Sequence, residues 1–450
     1  MPNDKFFLWH TYFRDVFDET KKGKSVVGGG FDIVIGNPPY GVSIKGDYRS
    51  AVVNELGKAP DFEIYYYFLI VASRLLRKNG LVSYIIPNTW LFNMFASAFR
   101  KDVCAKWNIV EVLDCSKFEI FENATVRNSI VFWRKPDKII NRQFFYKSTA
   151  DAENFAQLVN QNKSIVDKED LLKMNQNWGL AFKLSPKTIQ IVNKISNTGM
   201  KLSHYYPEIS QGLIAYDKYK GQSEKVIKNK AYHHSQFKPG LKSWLWGEDV
   251  RRYSVRWNGK EWLDYCKGIA NPRQPHFFTK KRLLVREITN PSIYAAITEE
   301  ELYNDPAIII VLDNDSYPIK VVLAILNSKM ATFFHFNHSP KATKGSFPKI
   351  LVQDIKDFPI PSASKEDQQD IIDLVDKILA AKKADPQEKT SDLELQIDKL
   401  VYKLYDLTGP EIDIIEKSFA QAKEKAENNT SSKTKTTSQK KYLEDSDEEL

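Results

Sequence analysis

The chain is poor in cysteine. Its 450 residues hold three, Cys104, Cys115 and Cys266, with no C-x-x-C pair. Neither a zinc ligand set nor a disulfide framework is implied, and a reducing cytoplasm is the plain expectation. Long apolar runs are missing too. The most apolar stretch, "IYYYFLIVA", is far short of the roughly 20 residues that cross a bilayer, so no membrane partner is expected. The N-terminus, "MPNDKFFLWH", lacks the basic-then-apolar pattern of a secretory signal. No internal repeat is visible. The pair His233-His234 and the run "HFNH" (His335 to His338) bring no cysteine or carboxylate at ligand spacing, so no metal is expected. Neither sign of charge dominates: the formal net charge is +8, which allows a nucleic-acid partner without demanding one. What remains is an ordinary balance of 42% hydrophobic and 27% charged residues, in a chain long enough for two or three domains.

Residues 1 to about 145 alternate strand-like and helix-like patterns. "FDIVIG" reads as a strand, and "EIYYYFLIVASRLLRKNG" as a helix ending at Gly80. "LVSYIIP" is the next strand and "NTWLFNMFASAFRKDVCAKW" a second helix. "IVEVLDCS" and "NSIVFWRK" are two more strands. This order predicts an α/β fold, part of a doubly wound, Rossmann-like sheet. A polar linker is expected over 146–180, then a mixed α+β segment over 181–365. In that segment Trp244, Trp246, Trp257 and Trp262 lie beside Arg251, Arg252 and Arg256. Residues 366–428 carry helical stripes, Ile371, Leu374, Val375, Ile378 and Leu379, then Leu393, Ile397, Leu400, Val401 and Leu404. The polar tail 429–450 is expected to be disordered.

One short stretch carries chemistry. "FDIVIGNPPYG" (Phe31 to Gly41) places Asn-Pro-Pro-Tyr directly after a strand. Two prolines cannot extend a central strand, and Asn37, before Pro38, is held out of helix. The result is a stiff loop at the carboxyl end of a strand, where open α/β sheets bind ligands. An amino group on an aromatic ring is a poor nucleophile because its lone pair is delocalised. Two acceptors aimed at its hydrogens, here the Asn37 side-chain oxygen and the Pro38 carbonyl, localise that pair toward an electrophile. The Pro38-Pro39 unit fixes them in advance, and Tyr40 offers a flat face for a planar substrate. No shifted general base and no nucleophilic cysteine is needed.

In this stretch the chain resembles amino-group methyltransferases. More narrowly it resembles the N6-adenine DNA methyltransferases of restriction-modification systems that carry a TaqI-like C-terminal specificity domain. The likeness covers about 1 to 420. Beyond "GGFDIVIGNPPY" it rests on "YYYFLIVASRLLRKNGLVSYIIPNTWL", "FENATVRNSIVFW", "LLVREI", "LAILNSK", "GSFPKI…IKDFPIP" and "IDKLVYKLYDLT". The resemblance implies S-adenosylmethionine as cofactor and double-stranded DNA as partner. It implies that Asn37 and Pro38 bind the adenine amino group of a flipped-out base, with Tyr40 stacked on one face and Phe121 on the other. It makes 181–365 the target-recognition domain, with Arg251, Arg252, Arg256, Arg286, Lys341 and Lys344 as candidate DNA contacts. A cognate endonuclease is a further partner that such systems imply.

The family's glycine-rich cofactor loop would lie before Asn37, where thirty-six residues stand. "VVGGGFD" (Val26 to Asp32) is followed by a strand rather than a helix, so Gly28 to Gly30 read as a connection. The expectation is a C-terminal part of a longer enzyme, a split-gene product completed by a separate polypeptide, or a remnant. The strand at Ile33 to Ile35 would then have an unpaired, apolar edge, and the chain alone would not bind the cofactor. Glu19-Thr20-Lys21 has the E-x-K shape of a nuclease motif, without an upstream acid at a suitable spacing. Two alternatives stay open: a catalytically silent DNA-binding specificity protein, and a methyltransferase of a protein amide, for which the large segment after 180 has no evident use.

Overall fold

The computed structural model describes residues 8–17, 29–121, 126–138, 141–149, 152–161, 164–174, 177–339, 342 and 348–424. It divides into two compact units, 1–189 and 190–450.

The first unit is built on a six-stranded mixed sheet: β1 (Phe31–Gly36), β2 (Leu76–Pro87), β3 (Asn108–Asp114), β4 (Asn128–Arg134), β5 (Gln143–Ser148) and β6 (Ser164–Asp167), in the order β1-β2-β4-β3-β5-β6. β1 and β2 pair in parallel, as the helix Ile64–Leu75 between them allows. Among the described residues no helix separates β3 from β4, and these two pair antiparallel. β1, β2, β3 and β5 therefore share one direction, against β4 and β6. The α/β expectation is met, with β4 inserted antiparallel into the parallel set. One face of the sheet is closed by buried aromatics. Trp90 lies 5.4 Å from Trp133 and 5.6 Å from Trp178 between ring centroids, and its Nε1 donates to Ser129 Oγ at 2.9 Å.

Two boundaries differ from the sequence expectation. The first helix stops at Leu75, and Leu76 to Asn79 already belong to β2; Asn79 takes positive φ (62°) at an irregularity in the pairing with β1. Gly80 thus sits inside a strand, where a Cβ would meet the Phe31 carbonyl oxygen at 2.9 Å. The linker expected over 146–180 is not a linker. β5 runs into it and β6 lies inside it and pairs back onto β5, whose buried Phe144 and Tyr146 have ring centroids 6.0 and 4.3 Å from Phe182. The inward-facing Phe144 and Tyr146, with Phe145 on the opposite face, recruit the segment to the sheet.

In the second unit, a four-stranded antiparallel sheet sets Ala295–Thr298, Arg282–Arg286, Ile308–Leu312 and Ile209–Gln211 side by side. A smaller sheet joins Tyr303–Asn304, Lys242–Leu245, Trp262–Leu263 and His233–His234. Helices Ile319–Asn327 and Lys329–His338 are largely buried. Helices Lys365–Ala384, Ser391–Leu404 and a further one over 409–424 belong to the same unit. The stripes at Ile371 and Val375 and at Ile397 and Val401 are packed inward. The tail 429–450 lies outside the described residues. Among the described residues no single helix is long and apolar enough to cross a membrane.

β1 is the edge of its sheet among the described residues, and it is not a protected edge. Ile33 is 61% and Ile35 80% exposed. Unpaired N–H and C=O groups beside apolar side chains template association. Ile33→Lys should lower concentration-dependent association of the chain, measured by light scattering, and leave its melting temperature within about 2 °C, because little packing is lost. Unchanged association would refute this.

Candidate functional site

Asn37 leaves β1 at the carboxyl end of the parallel strands. Asn37 and Pro39 are exposed, Pro38 is buried and Tyr40 is half-buried. The loop is held from both ends. Before it, Gly36 pairs with Tyr84 on β2, and a Cβ on Gly36 would stand 3.0 Å from the Tyr84 ring. After it, Ser43 bridges Glu63, Ile44 N donates to Phe62 O at 3.0 Å, and Ile64 N donates to Val42 O at 2.9 Å. Asp61 and Phe62 in that facing segment take left-handed backbone (φ 49° and 54°), a conformation that costs non-glycine residues energy and persists only where neighbours hold it. Sequence reasoning does not reach this brace. An aspartate inside "APDFEIY" is its one visible signal.

The Tyr40 hydroxyl lies 2.5 Å from Asn37 Oδ1 and 3.0 Å from the Ile85 carbonyl oxygen. A phenol has one hydrogen and cannot donate to both. At 2.5 Å the Asn37 contact is the shorter one and has the length of an O–H···O bond, so the phenol donates to Asn37 Oδ1, with the Ile85 carbonyl as the alternative acceptor. Asn37 Oδ1 accepts from Tyr40 and keeps a second lone pair for another donor. Burial pushes the Tyr40 pKa up to about 12, so the phenol keeps its hydrogen throughout the physiological range.

Phe121, from the connection between β3 and β4, meets Tyr40 because both connections open at the same end of the sheet. The ring centroids are 6.0 Å apart at an interplanar angle of 61°. The structure thus brings the two rings together, but edge to face rather than as parallel walls. A planar ring between them needs centroids about 7 Å apart, two van der Waals contacts of ~3.5 Å each. At the same end of the sheet, Asn128, opposite Pro87, is wholly buried, and its amide has no partner among the described residues.

A cleft of about 500 Å³ runs from Asn37 and Pro38 along β1, walled by Trp9, Ile35, Ile44, Tyr48 and Phe68 among others. A larger cavity, about 730 Å³, lies elsewhere in this unit, bordered by Leu69, Phe99 and Trp107. It touches none of the loop residues, so the smaller cleft is the chemically relevant one. S-adenosylmethionine would present a ribose diol, which carboxylates grip, and a charged amino-acid end. Among the described residues, the smaller cleft's lining offers Asn37 and tyrosine hydroxyls but no carboxylate or cation. The residues present fit an apolar, planar group and do not fit the whole cofactor. Gly29 and Gly30 serve packing: Cβ atoms there would stand 2.9 Å from the Phe17 carbonyl oxygen and 2.6 Å from Arg77 N, and β1 begins at the next residue. Gly28 and Glu19-Thr20-Lys21 lie outside the described residues.

In the second unit the six basic candidates separate. Arg252 is a structural residue. Its Nε donates to Glu394 at 2.9 Å, its Nη2 reaches the same carboxylate, and its Nη1 donates to Asn327 O at 2.5 Å. Arg256 donates to the Pro386 carbonyl. Both side chains are engaged by other parts of this unit. Arg251 is exposed. Arg286 is half-buried, with its guanidinium 5.1 Å from the Tyr294 ring centroid; its pKa is lowered, first by burial and also by the nearby Arg251 charge. Those two stay near each other without a carboxylate ion pair among the described residues. Lys341 and Lys344 lie outside the described residues. Trp244 is core, and Trp246 and Trp257 pack against the same cluster. The histidines are structural as well: Tyr216 Oη bonds His233 Nδ1 at 2.8 Å, and buried His335 bonds Thr289 at 3.0 Å.

The first unit therefore defines a class: a mixed α/β sheet of the methyltransferase kind with an Asn-Pro-Pro-Tyr loop at its carboxyl edge. Comparison with known proteins finds similarity in two segments. Residues 2–121 match the Eco57I restriction-modification methylase family, and residues 242–360 match the TaqI-like C-terminal specificity domain. The chain thus carries one segment similar to each of these two families. It is 24% identical over 399 residues to "Putative type II restriction enzyme and methyltransferase RM.MjaORFECS2P" of Methanocaldococcus jannaschii, a match covering 84% of this chain and 31% of that protein. It is 26% identical over 164 residues to the type II methyltransferase M.TthHB8I of Thermus thermophilus, covering 34% of this chain and 36% of the other. The chain thus spans about a third of the length of these relatives. Its fold is similar to that of the type IIL restriction-modification enzyme MmeI, solved in complex with DNA, with a TM-score of 0.51 and 11% identity over 87% of this chain and 57% of that one.

The ion pair of Arg252 separates structural from recognition roles. Arg252→Ala leaves Glu394 without its cation in a largely buried place, and should destabilise the second unit by about 3 kcal/mol. Arg251→Ala, at an exposed position, should change stability by less than about 0.5 kcal/mol. Thermal or urea unfolding of the two variants checks this, and equal destabilisation by both would contradict it.

Proposed function

We propose that this chain is the target-presenting part of a site-specific DNA methyltransferase acting on adenine N6 within a restriction-modification system. The single observation that carries the reading is the loop Asn37 to Tyr40, braced at both ends and placed at the carboxyl edge of the sheet beside an apolar cleft. In this reading the extrahelical base lies against Tyr40. Its amino hydrogens go to Asn37 Oδ1 and the Pro38 carbonyl, so the nitrogen lone pair is localised before any methyl donor approaches. Tyr40 also aims the Asn37 oxygen, by donating its hydroxyl hydrogen to Oδ1 and leaving the second lone pair for the base. Phe121 turns from its edge-on contact to cover the other face of the base. Residues of the second unit, Arg251 and Arg286 among them, make contacts to DNA.

The methyl donor we propose is S-adenosylmethionine. The cleft beside Asn37 supports only its neighbourhood to the loop, so the groups for its ribose and amino-acid ends would come from polypeptide beyond the described residues, including a separate chain. Titration calorimetry of the purified chain with S-adenosylmethionine should show no binding in the micromolar range. Micromolar affinity would mean that the lining has been misassigned.

The transfer itself is tested in a host free of adenine methylation, in which the chain is expressed together with its genomic neighbours and nucleosides are analysed by mass spectrometry. N6-methyladenine is expected. Asn37→Ala should lower the methylation rate by about 10²-fold, the loss typical of one preorganised hydrogen-bond partner. Tyr40→Phe keeps the ring and removes the aim, so its effect should be smaller and fall on kcat rather than KM. Methylation unchanged by Asn37→Ala would refute the assignment. DNA binding without methylation under these conditions would favour a silent specificity protein.

A further inference from the structure

Within the second unit, residues 218–242 hold seven lysines, Lys218, Lys220, Lys225, Lys228, Lys230, Lys238 and Lys242, against one glutamate, Glu224. That is a net +6 in a twenty-five-residue stretch, where the whole chain carries +8. All but Lys242 are exposed. Only Lys228, with Glu224, and Lys242, with Glu301, have carboxylate partners among the described residues. Five lysines of one sign therefore crowd a single lobe without a carboxylate to neutralise them, and self-repulsion of this kind costs stability. Two large rings stand in solvent among them, Tyr219 at 83% and Phe237 at 63% exposure.

The lobe is nonetheless well ordered. The Gln222 side chain donates to Ala215 O at 2.9 Å and Gly268 O at 2.7 Å and accepts from Asp217 N at 2.8 Å. Tyr216 stacks on Tyr232, with centroids 5.5 Å apart and planes within 2°. His233 and His234 pair with Leu263 and Trp262, and Leu263 pairs in turn with Lys242. This last link matters, because the specificity-domain match begins at residue 242. The lobe lies ahead of that match and is stitched to it by two strand pairings. It carries its charge at a fixed place relative to the specificity segment.

We propose that the lobe 218–242 is a phosphate clamp for duplex DNA. It holds the backbone of one flank of the target while the specificity segment reads bases. This rests on the DNA reading given above and assigns a part of it that neither the sequence motifs nor the family matches mark. The chemistry favours phosphate over base reading. Lysine is a strongly hydrated point charge that neutralises phosphate, whereas bidentate base reading is the habit of arginine, and the lobe contains no arginine. Exposed aromatic rings among the lysines give the apolar contact that interfaces enrich.

The test is fluorescence anisotropy of the full chain with labelled duplex DNA across a range of salt concentrations. The lobe variant replaces Lys218, Lys220, Lys225 and Lys238 with Gln. A control variant replaces Lys365, Lys377, Lys383 and Lys389 with Gln, removing equal charge from exposed positions in and just after the helix Lys365–Ala384. Each phosphate contact contributes about 0.9 to the slope of log K against log salt. The lobe variant should therefore bind at least about tenfold more weakly, with a slope shallower by about 2 to 4, while the control variant should show less than half of that change. Circular dichroism checks that both variants are folded. A wild-type chain that binds duplex DNA but loses nothing in the lobe variant overturns the clamp and leaves the DNA reading standing. A wild-type chain that binds no duplex DNA, or binds only anionic phosphatidylserine vesicles, overturns both.

Discussion

The parallel pairing of β1 with β2 is the constraint on which the first unit's chemistry depends. It sets Gly36 against Tyr84 and carries Asn37 past the end of the sheet with its orientation already decided. It also brings the Ile85 carbonyl to the Tyr40 hydroxyl. A slip of one residue would turn each side chain of β1 to the opposite face. Ile33 and Ile35 would then leave the surface, and the contact of Tyr40 with Ile85 would be lost. The two prolines stiffen what the register has placed, and the bridge at Ser43 and Glu63 closes the far side.

The parts of this arrangement that are legible in the sequence are those that local chemistry dictates. A run of β-branched residues cut by Asn-Pro-Pro can only be a strand ending in a shaped loop, and β1 begins and ends where that logic puts it. Family likeness is enough to name Phe121 as a partner of Tyr40, but not to give its edge-on contact, which depends on how the β3–β4 connection folds back. The strands β5 and β6 escape a pattern reading because their apolar signal, Phe144 to Tyr146 and Ile165-Val166, is short and sits in a polar context. Gly80 reads as a helix terminus because glycine marks ends of helices as readily as irregularities in strands.

Arginine is the least legible residue. Side by side in sequence, Arg251 and Arg252 look equivalent, yet Arg251 ends a short strand and points outward while Arg252, in the turn that follows, reaches Glu394 and the Asn327 carbonyl. No composition rule distinguishes them. The lysine excess before residue 242 is open to view in the sequence, but it is diluted in a chain-wide net charge that is mild. Only the scarcity of carboxylate partners around the folded lobe gives it meaning.

The edge-to-face contact of Tyr40 with Phe121 has a consequence for selectivity. If the proposed slot takes a flat base, the edge of one ring already occupies the face of the other, so the slot is partly self-blocking. A ligand must displace that contact, worth about 0.5–1.5 kcal/mol, which weakens capture of every planar molecule by roughly two- to tenfold. Molecules that bring only a flat ring bear the whole of that penalty. One that also engages Asn37 and Pro38 recovers it, and the closed rings thereby act as a threshold against non-specific stacking.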